Sequence, residues 1–213
     1  MREQKAPRSV LHLQKRIGHG ATRDCWQHPL QDNLCVKVNL ANRKNNSLLY
    51  EIHVYECIKK LLPGLVAAIH SELVETDKGQ GLVSELVRDE DGKISPSLRE
   101  YFKSGGDMKE VLQPLNRIIK RMIVRDIFFL DLNVGNFAVQ TVHGKKTVIM
   151  IDIKSLNRAG FVGFLHLERI FAPLARNIMF RRIRRLYSYL GLEFPYDDLC
   201  RKKRFHTIFT SVK

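Results

Sequence analysis

The densest chemistry in the sequence lies at Asp131-Leu132-Asn133-Val134-Gly135-Asn136 and, further on, at Ile149-Met150-Ile151-Asp152. An aspartate, an asparagine five residues later and an aspartate that closes an apolar run supply one carboxylate base and two hard oxygen ligands. Mg²⁺ takes such oxygens and shares its other positions with phosphates and water. The plainer role for Asp131 and Asn136 is to cap a loop. Upstream, Ile17-Gly18-His19-Gly20-Ala21-Thr22-Arg23 has the pattern G-x-G-x-x-R. Gly18 and Gly20 let backbone N–H groups approach phosphate oxygens with no Cβ in the way, or simply turn a hairpin. No G-K-[ST] follows, so this is not a P-loop, and no helix begins there, so it is not a dinucleotide fingerprint. Lys37, inside Leu34-Cys35-Val36-Lys37-Val38, is either a solvent-facing residue of an edge strand or an ammonium held toward a phosphate by a carboxylate. Glu51 is the carboxylate nearer the start of the next helix, and Glu56 is the alternative.

The elements that must position these groups follow from periodicity. Residues 11–17, 24–28 and 34–40 read as strands, with Gly18-His19-Gly20 breaking the first and Pro29 to Asn33 forming a turn. Ser47 caps an amphipathic helix over 47–62, in which Leu48, Leu49, Ile52, Tyr55, Ile58, Leu61 and Leu62 recur near every 3.6 residues until Pro63-Gly64. Strands over 67–76 and 81–87 complete an order β-β-β-α-β-β. The charged stretch 88–92 is a connector. Beyond it, helices are expected over 97–103, 108–124 and 166–190, with a hairpin of 137–142 and 147–153 between the last two. The expected architecture is α+β: residues 1–88 form a five-stranded lobe with one helix, and 89–213 a short, mainly helical lobe.

Composition narrows the function classes. Apolar residues make up 44% of the chain and charged residues 27%, which suits a packed globular protein and not a disordered one. No stretch approaches the roughly 18 uninterrupted apolar residues of a membrane span. The start, MREQKAPRSV, has charge but no apolar region behind it, so a cytoplasmic location is expected. Cys25, Cys35, Cys57 and Cys200 form no C-x-x-C pair and match no zinc spacing. They read as reduced thiols, with Cys25 and Cys35 on adjacent strands. The net charge is +14, and residues 158–213 hold 12 basic and 4 acidic side chains. Arg181, Arg182, Arg184 and Arg185 form one cluster, and Arg201, Lys202, Lys203 and Arg204 another. Such a field draws polyanions or an anionic membrane surface, unless it is a solvated helix face.

Glycine turn, strand lysine, helix glutamate, connector, D-x-x-x-x-N, hairpin and strand aspartate stand in the order of the parts of the protein-kinase-like fold. The chain resembles that superfamily, and more closely the YrbL family of PhoP-network bacterial proteins. The closer resemblance is carried by IGHGATRDCWQHP, NLCVKV, YEIHVYECI, GQGLVSELVRDEDGKIS and DLNVGNFAV, which span about two-thirds of the chain. It implies a two-lobed kinase-like protein that binds ATP and Mg²⁺. Gly18 and Gly20 would cover the phosphates, Lys37 braced by Glu51 would contact them, and backbone groups of Glu85, Leu86 and Val87 would meet adenine. Asp131 would accept the proton of an acceptor hydroxyl, with Asn136 and Asp152 on Mg²⁺. Departures stand beside these matches. Phe129-Leu130 replaces the residues that usually precede the base, Ile153-Lys154 replaces Phe-Gly, and only 61 residues follow Asp152. A small hydroxylated acceptor, such as a sugar or lipid-linked glycan, suits that shorter lobe better than a peptide. A pseudokinase that binds nucleotide without turnover and a nucleic-acid-binding module are the competing readings.

Overall fold

The computed structural model describes residues 10–40, 46–125, 127–129, 132–153, 156–158 and 168–195. Strands β1 (Arg16–His19), β2 (Arg23–Gln27), β3 (Leu34–Asn39), β4 (Ile69–Thr76) and β5 (Gly79–Glu85) form one sheet in the order β1-β2-β3-β5-β4. Every neighbouring pair in it is antiparallel. Helix α1 (Asn46–Ile58) lies in the chain between β3 and β4. The period of two in β3 sorts its side chains onto opposite faces. Leu34, Val36 and Val38 join Leu13 and Val83 in a small outer core, while Lys37 reaches Glu51 of α1 on the other side.

The first strand differs from the expected 11–17. Its ladder runs over Arg16–His19, and Leu11 makes a single parallel bridge to Thr76. Leu11 and Leu13 alternate like strand residues because they cover the outer face of the sheet, packing with Val36, Val38 and Val74. Helix α1 also ends earlier than its apolar spacing suggests. Leu62 stays buried, but it sits in a turn that leads to Gly64, whose φ of 68° no helix can accommodate.

Helices α2 (Leu98–Lys103) and α3 (Met108–Val124) fall where expected, with Ser97 as the cap of the first. Ser97 and Glu100 satisfy each other's backbone N–H in a capping box, and the Asp107 side chain caps α3. Strand β6 (Ile127–Phe129) pairs with β9 (Leu156–Arg158), a ladder the sequence reading does not contain. Strands β7 (Phe137–Val142) and β8 (Lys145–Met150) form the expected hairpin. His143 and Gly144, at φ 49° and 70°, make the left-handed two-residue turn that matches strand twist. Helix α4 (Glu168–Tyr189) follows.

One apolar cluster connects these parts: Ile52 and Ile58 of α1, Ile69 of β4, Leu115 and Ile119 of α3, Met150 of β8 and Ile183 of α4. The Ala67 N–H donates to Met150 O at 2.8 Å, and the Met150 N–H to Leu65 O at 2.9 Å, so the hairpin is tied to the chain entering β4. The stretch 86–97 lies along β7, with Glu90 N to Thr141 O at 3.0 Å and Val139 N to Pro96 O at 2.8 Å.

Gly81 in β5 gives the sheet a sharp test. A Cβ there would stand 2.4 Å from Val36 Cγ1, and Val36 is completely buried with a stiff branched side chain. Gly81→Ala is expected to lower stability by about 1–3 kcal/mol, the cost of overpacking a filled core. Urea unfolding of the variant against the wild type measures it.

Candidate functional site

Between the β1–β2 turn, the inner face of β3, the stretch after β5 and the foot of the β7–β8 hairpin lies a cleft of about 310 Å³. Lys37 projects into it from β3. That strand is central in the sheet and Lys37 is 8% exposed, which removes the edge-strand alternative. Its Nζ donates to Glu51 Oε1 at 3.0 Å and to the Ile151 carbonyl at 2.7 Å. Glu51 is fully buried in α1. Glu56 pairs instead with Lys59 at the surface, so Glu51 is the partner. The Ile151 N–H donates to Asn136 O at 2.9 Å, so Asn136 and Asp152 flank the same point at the hairpin's foot. Asn136 ends a short 3₁₀ turn whose Asn133 side chain accepts the Gly135 N–H.

A fourth charged residue completes the cluster. Arg23 opens β2 in register with Asn39, on the side of the sheet where Lys37 emerges. Its Nη1 donates to Glu51 Oε2 at 2.5 Å and its Nη2 to Asp152 Oδ1 at 3.1 Å. Two cations and two carboxylates thus interlock, with a formal sum of zero. Burial pulls the Lys37 pKa down more than any other single influence and the neighbouring Arg23 cation adds to that, yet on balance it is raised, by Glu51 foremost and by Asp152 and Cys35 behind it. Arg23 is raised in the same way, with Glu51 and then Asp152 outweighing burial. Both side chains are therefore held firmly charged.

On the other flank of the cleft, the Glu85 N–H donates to Ala68 O and the Leu86 N–H to Asn33 O, which fixes the path of the chain leaving β5. Val87 packs with Ala67, Ala138 and Ile149. Cys25 and Cys35, on adjacent strands as expected, line the cleft near Ile17 and Ser84. At the mouth, the Gly20 N–H donates to Arg23 O at 2.9 Å, and a Cβ on Gly20 would come within 3.2 Å of that same oxygen. The glycine segment is thus both a hairpin turn and a wall of the cleft.

A family model described as PhoP regulatory network protein YrbL matches residues 10–188. The chain belongs to the YrbL family. No curated protein matches it. The family's name ties its members to the PhoP regulatory network.

In this YrbL-family chain, Gly18, Gly20, Lys37, Glu85, Val87, Asn136 and Asp152 all line the one cleft, and Glu51 stands directly behind Lys37. Asp131 lies outside the described residues. Asn136 and Asp152 offer the hard oxygens that suit Mg²⁺, although one Asp152 oxygen already accepts from Arg23. Among the described residues, no group of three or more histidine, cysteine, aspartate or glutamate side chains is placed to hold a metal ion. Sequence reasoning left Arg23 without a role. The signal was its place two residues before Cys25, which strand alternation puts on the lysine side of the sheet. Of the basic clusters, Arg181, Arg182, Arg184 and Arg185 are exposed on α4, and residues 201–204 lie outside the described residues. Among the described residues, no helix is long and apolar enough to cross a membrane.

Proposed function

We propose that this YrbL-family protein is a kinase-like phosphotransferase of two lobes, divided near residue 88, that binds ATP in the cleft and transfers its terminal phosphate to a small non-protein hydroxyl of the sugar or lipid-glycan type, in a PhoP-linked bacterial response. The observation that carries the reading is Lys37, held between Glu51 and the Ile151 carbonyl in a cleft walled by Gly18, Gly20, Glu85, Val87, Asn136 and Asp152. The volume of about 310 Å³ is at the lower end of ligand-pocket sizes.

In this reading adenine lies between Ile17, Cys25 and Cys35 on one side and Ala138 on the other, with backbone groups of Glu85 to Val87 along its edge. The triphosphate runs toward the glycine turn and Lys37, a point charge pre-positioned by its carboxylate partner. Asn136 and Asp152 would hold Mg²⁺, which when bound neutralises charge on the phosphates. Asp131 receives the acceptor's proton. Positioning and charge complementarity do most of the work, because phosphoryl transfer asks little covalent help of a protein. Arg23 on Asp152 favours a second reading, a nucleotide-binding regulatory protein without turnover. Measuring ATP consumption separates the two.

Thermal unfolding with ATP and Mg²⁺ is the direct test. A ligand at a hundredfold excess over its Kd adds about 2.7 kcal/mol of stability by mass action. Lys37→Met is expected to weaken ATP binding by about tenfold or more, the worth of one charge-assisted hydrogen bond. A wild-type melting curve that ATP leaves unmoved at saturating concentrations overturns the reading.

A further inference from the structure

Arg23 is buried, 8% exposed, and bridges two carboxylates that come from different parts of the chain. It is not a mobile surface cation. Glu51 has no solvent exposure, so withdrawing Arg23 would strip one of the two cations from a fully buried carboxylate. The guanidinium is therefore anchored through Glu51 at the wall of the cleft, where its other end meets Asp152. Its charge decides what the cleft presents to a polyphosphate. With Arg23 the four interlocked groups sum to zero, and without it they sum to −1, which repels a polyanion until a divalent cation compensates.

Resting on the nucleotide reading above, we propose that Arg23 is a built-in counter-cation that stands in for divalent metal during nucleotide binding, so that the cleft takes up metal-free ATP. The planar fork of arginine suits this work. It keeps one N–H on Glu51 and one on Asp152 and has further donors for a phosphate oxygen, at a site where Mg²⁺ would have to shed water and share Asp152. Divalent metal then bears on transfer and not on capture of the nucleotide.

The test compares ATP affinity by titration calorimetry in excess EDTA and in excess MgCl₂, for the wild type, Arg23→Gln and Arg23→Lys. Lysine keeps the charge but not the fork, so it separates the two contributions, and the wild-type comparison stands alone if the glutamine variant does not fold by circular dichroism. The wild type is expected to bind with nearly equal affinity in the two buffers, within about threefold. In Arg23→Gln the EDTA Kd is expected to exceed the Mg²⁺ Kd by about tenfold or more, the size of one lost charge-assisted contact, whereas Arg23→Lys is expected to stay near the wild-type ratio. Wild-type binding that collapses in EDTA, or a glutamine variant as metal-indifferent as the wild type, overturns the role of Arg23 and leaves the nucleotide reading standing. No wild-type binding in either buffer overturns both.

Discussion

Glu51→Gln is expected to destabilise the protein by about 3–5 kcal/mol, the cost of removing one partner from a buried ion cluster. Glu51 has no solvent exposure and accepts from both Lys37 and Arg23. A glutamine of the same shape keeps one acceptor oxygen, but its amide nitrogen faces a cation. Two buried positive groups then share the single carboxylate of Asp152. The loss should have an alkaline signature. In the wild type the Lys37 pKa is raised above its ordinary 10.5, so its contribution is fully present below that pH and fades as pH rises through the higher folded value. Without Glu51, burial prevails and pulls the folded pKa below 10.5. The variant should then regain stability as pH rises toward 10.5, where the wild type is still flat. Urea midpoints across a pH series read both effects. A variant within about 0.5 kcal/mol of the wild type, the ordinary size of a surface change, would show that the cluster is not a structural keystone.

The interlock of Lys37 and Glu51 was partly legible in the sequence, and the limit was physical. An apolar strand carrying one lysine, followed by a helix carrying a glutamate, is a local pattern. Whether that strand is central or at an edge depends on β5, which arrives more than forty residues later and inserts next to β3. For Arg23, strand alternation gives the side of the sheet but not the partners, which stand 28 and 129 positions away. The β6–β9 ladder joins two three-residue segments across the chain, each too short to show a period. Leu11, Leu13 and Leu62 show the opposite failure. Their spacing reports burial and not secondary structure, since Leu13 covers a sheet face and Leu62 fills a turn. Elements with chemical end signals fared better. Helices α2 and α3 begin after Ser97 and Asp107, whose side chains accept N–H groups of the first turn.

Asp131→Ala is expected to lower phosphoryl transfer by about 10²–10⁴, the usual contribution of a positioned general base, while ATP affinity stays within about threefold of the wild type. The residue precedes Asn136 by five positions, and Asn136 sits in the cleft beside the hairpin's foot. Its proposed work falls on the acceptor hydroxyl, whose proton has to leave as the new bond to phosphorus forms, and not on the nucleotide. Rate and affinity should therefore separate, as expected for an interaction made only in the transition state. Lys37→Met makes the contrast, because a phosphate contact present in the ground state carries affinity down with rate. Single-turnover measurements with radiolabelled ATP, paired with calorimetric affinities, distinguish the two patterns even with water as the acceptor. Wild-type turnover in the Asp131 variant would remove the base assignment. A wild type that binds ATP and never consumes it would assign the cleft to sensing, with Arg23 on Asp152 as the structural reason.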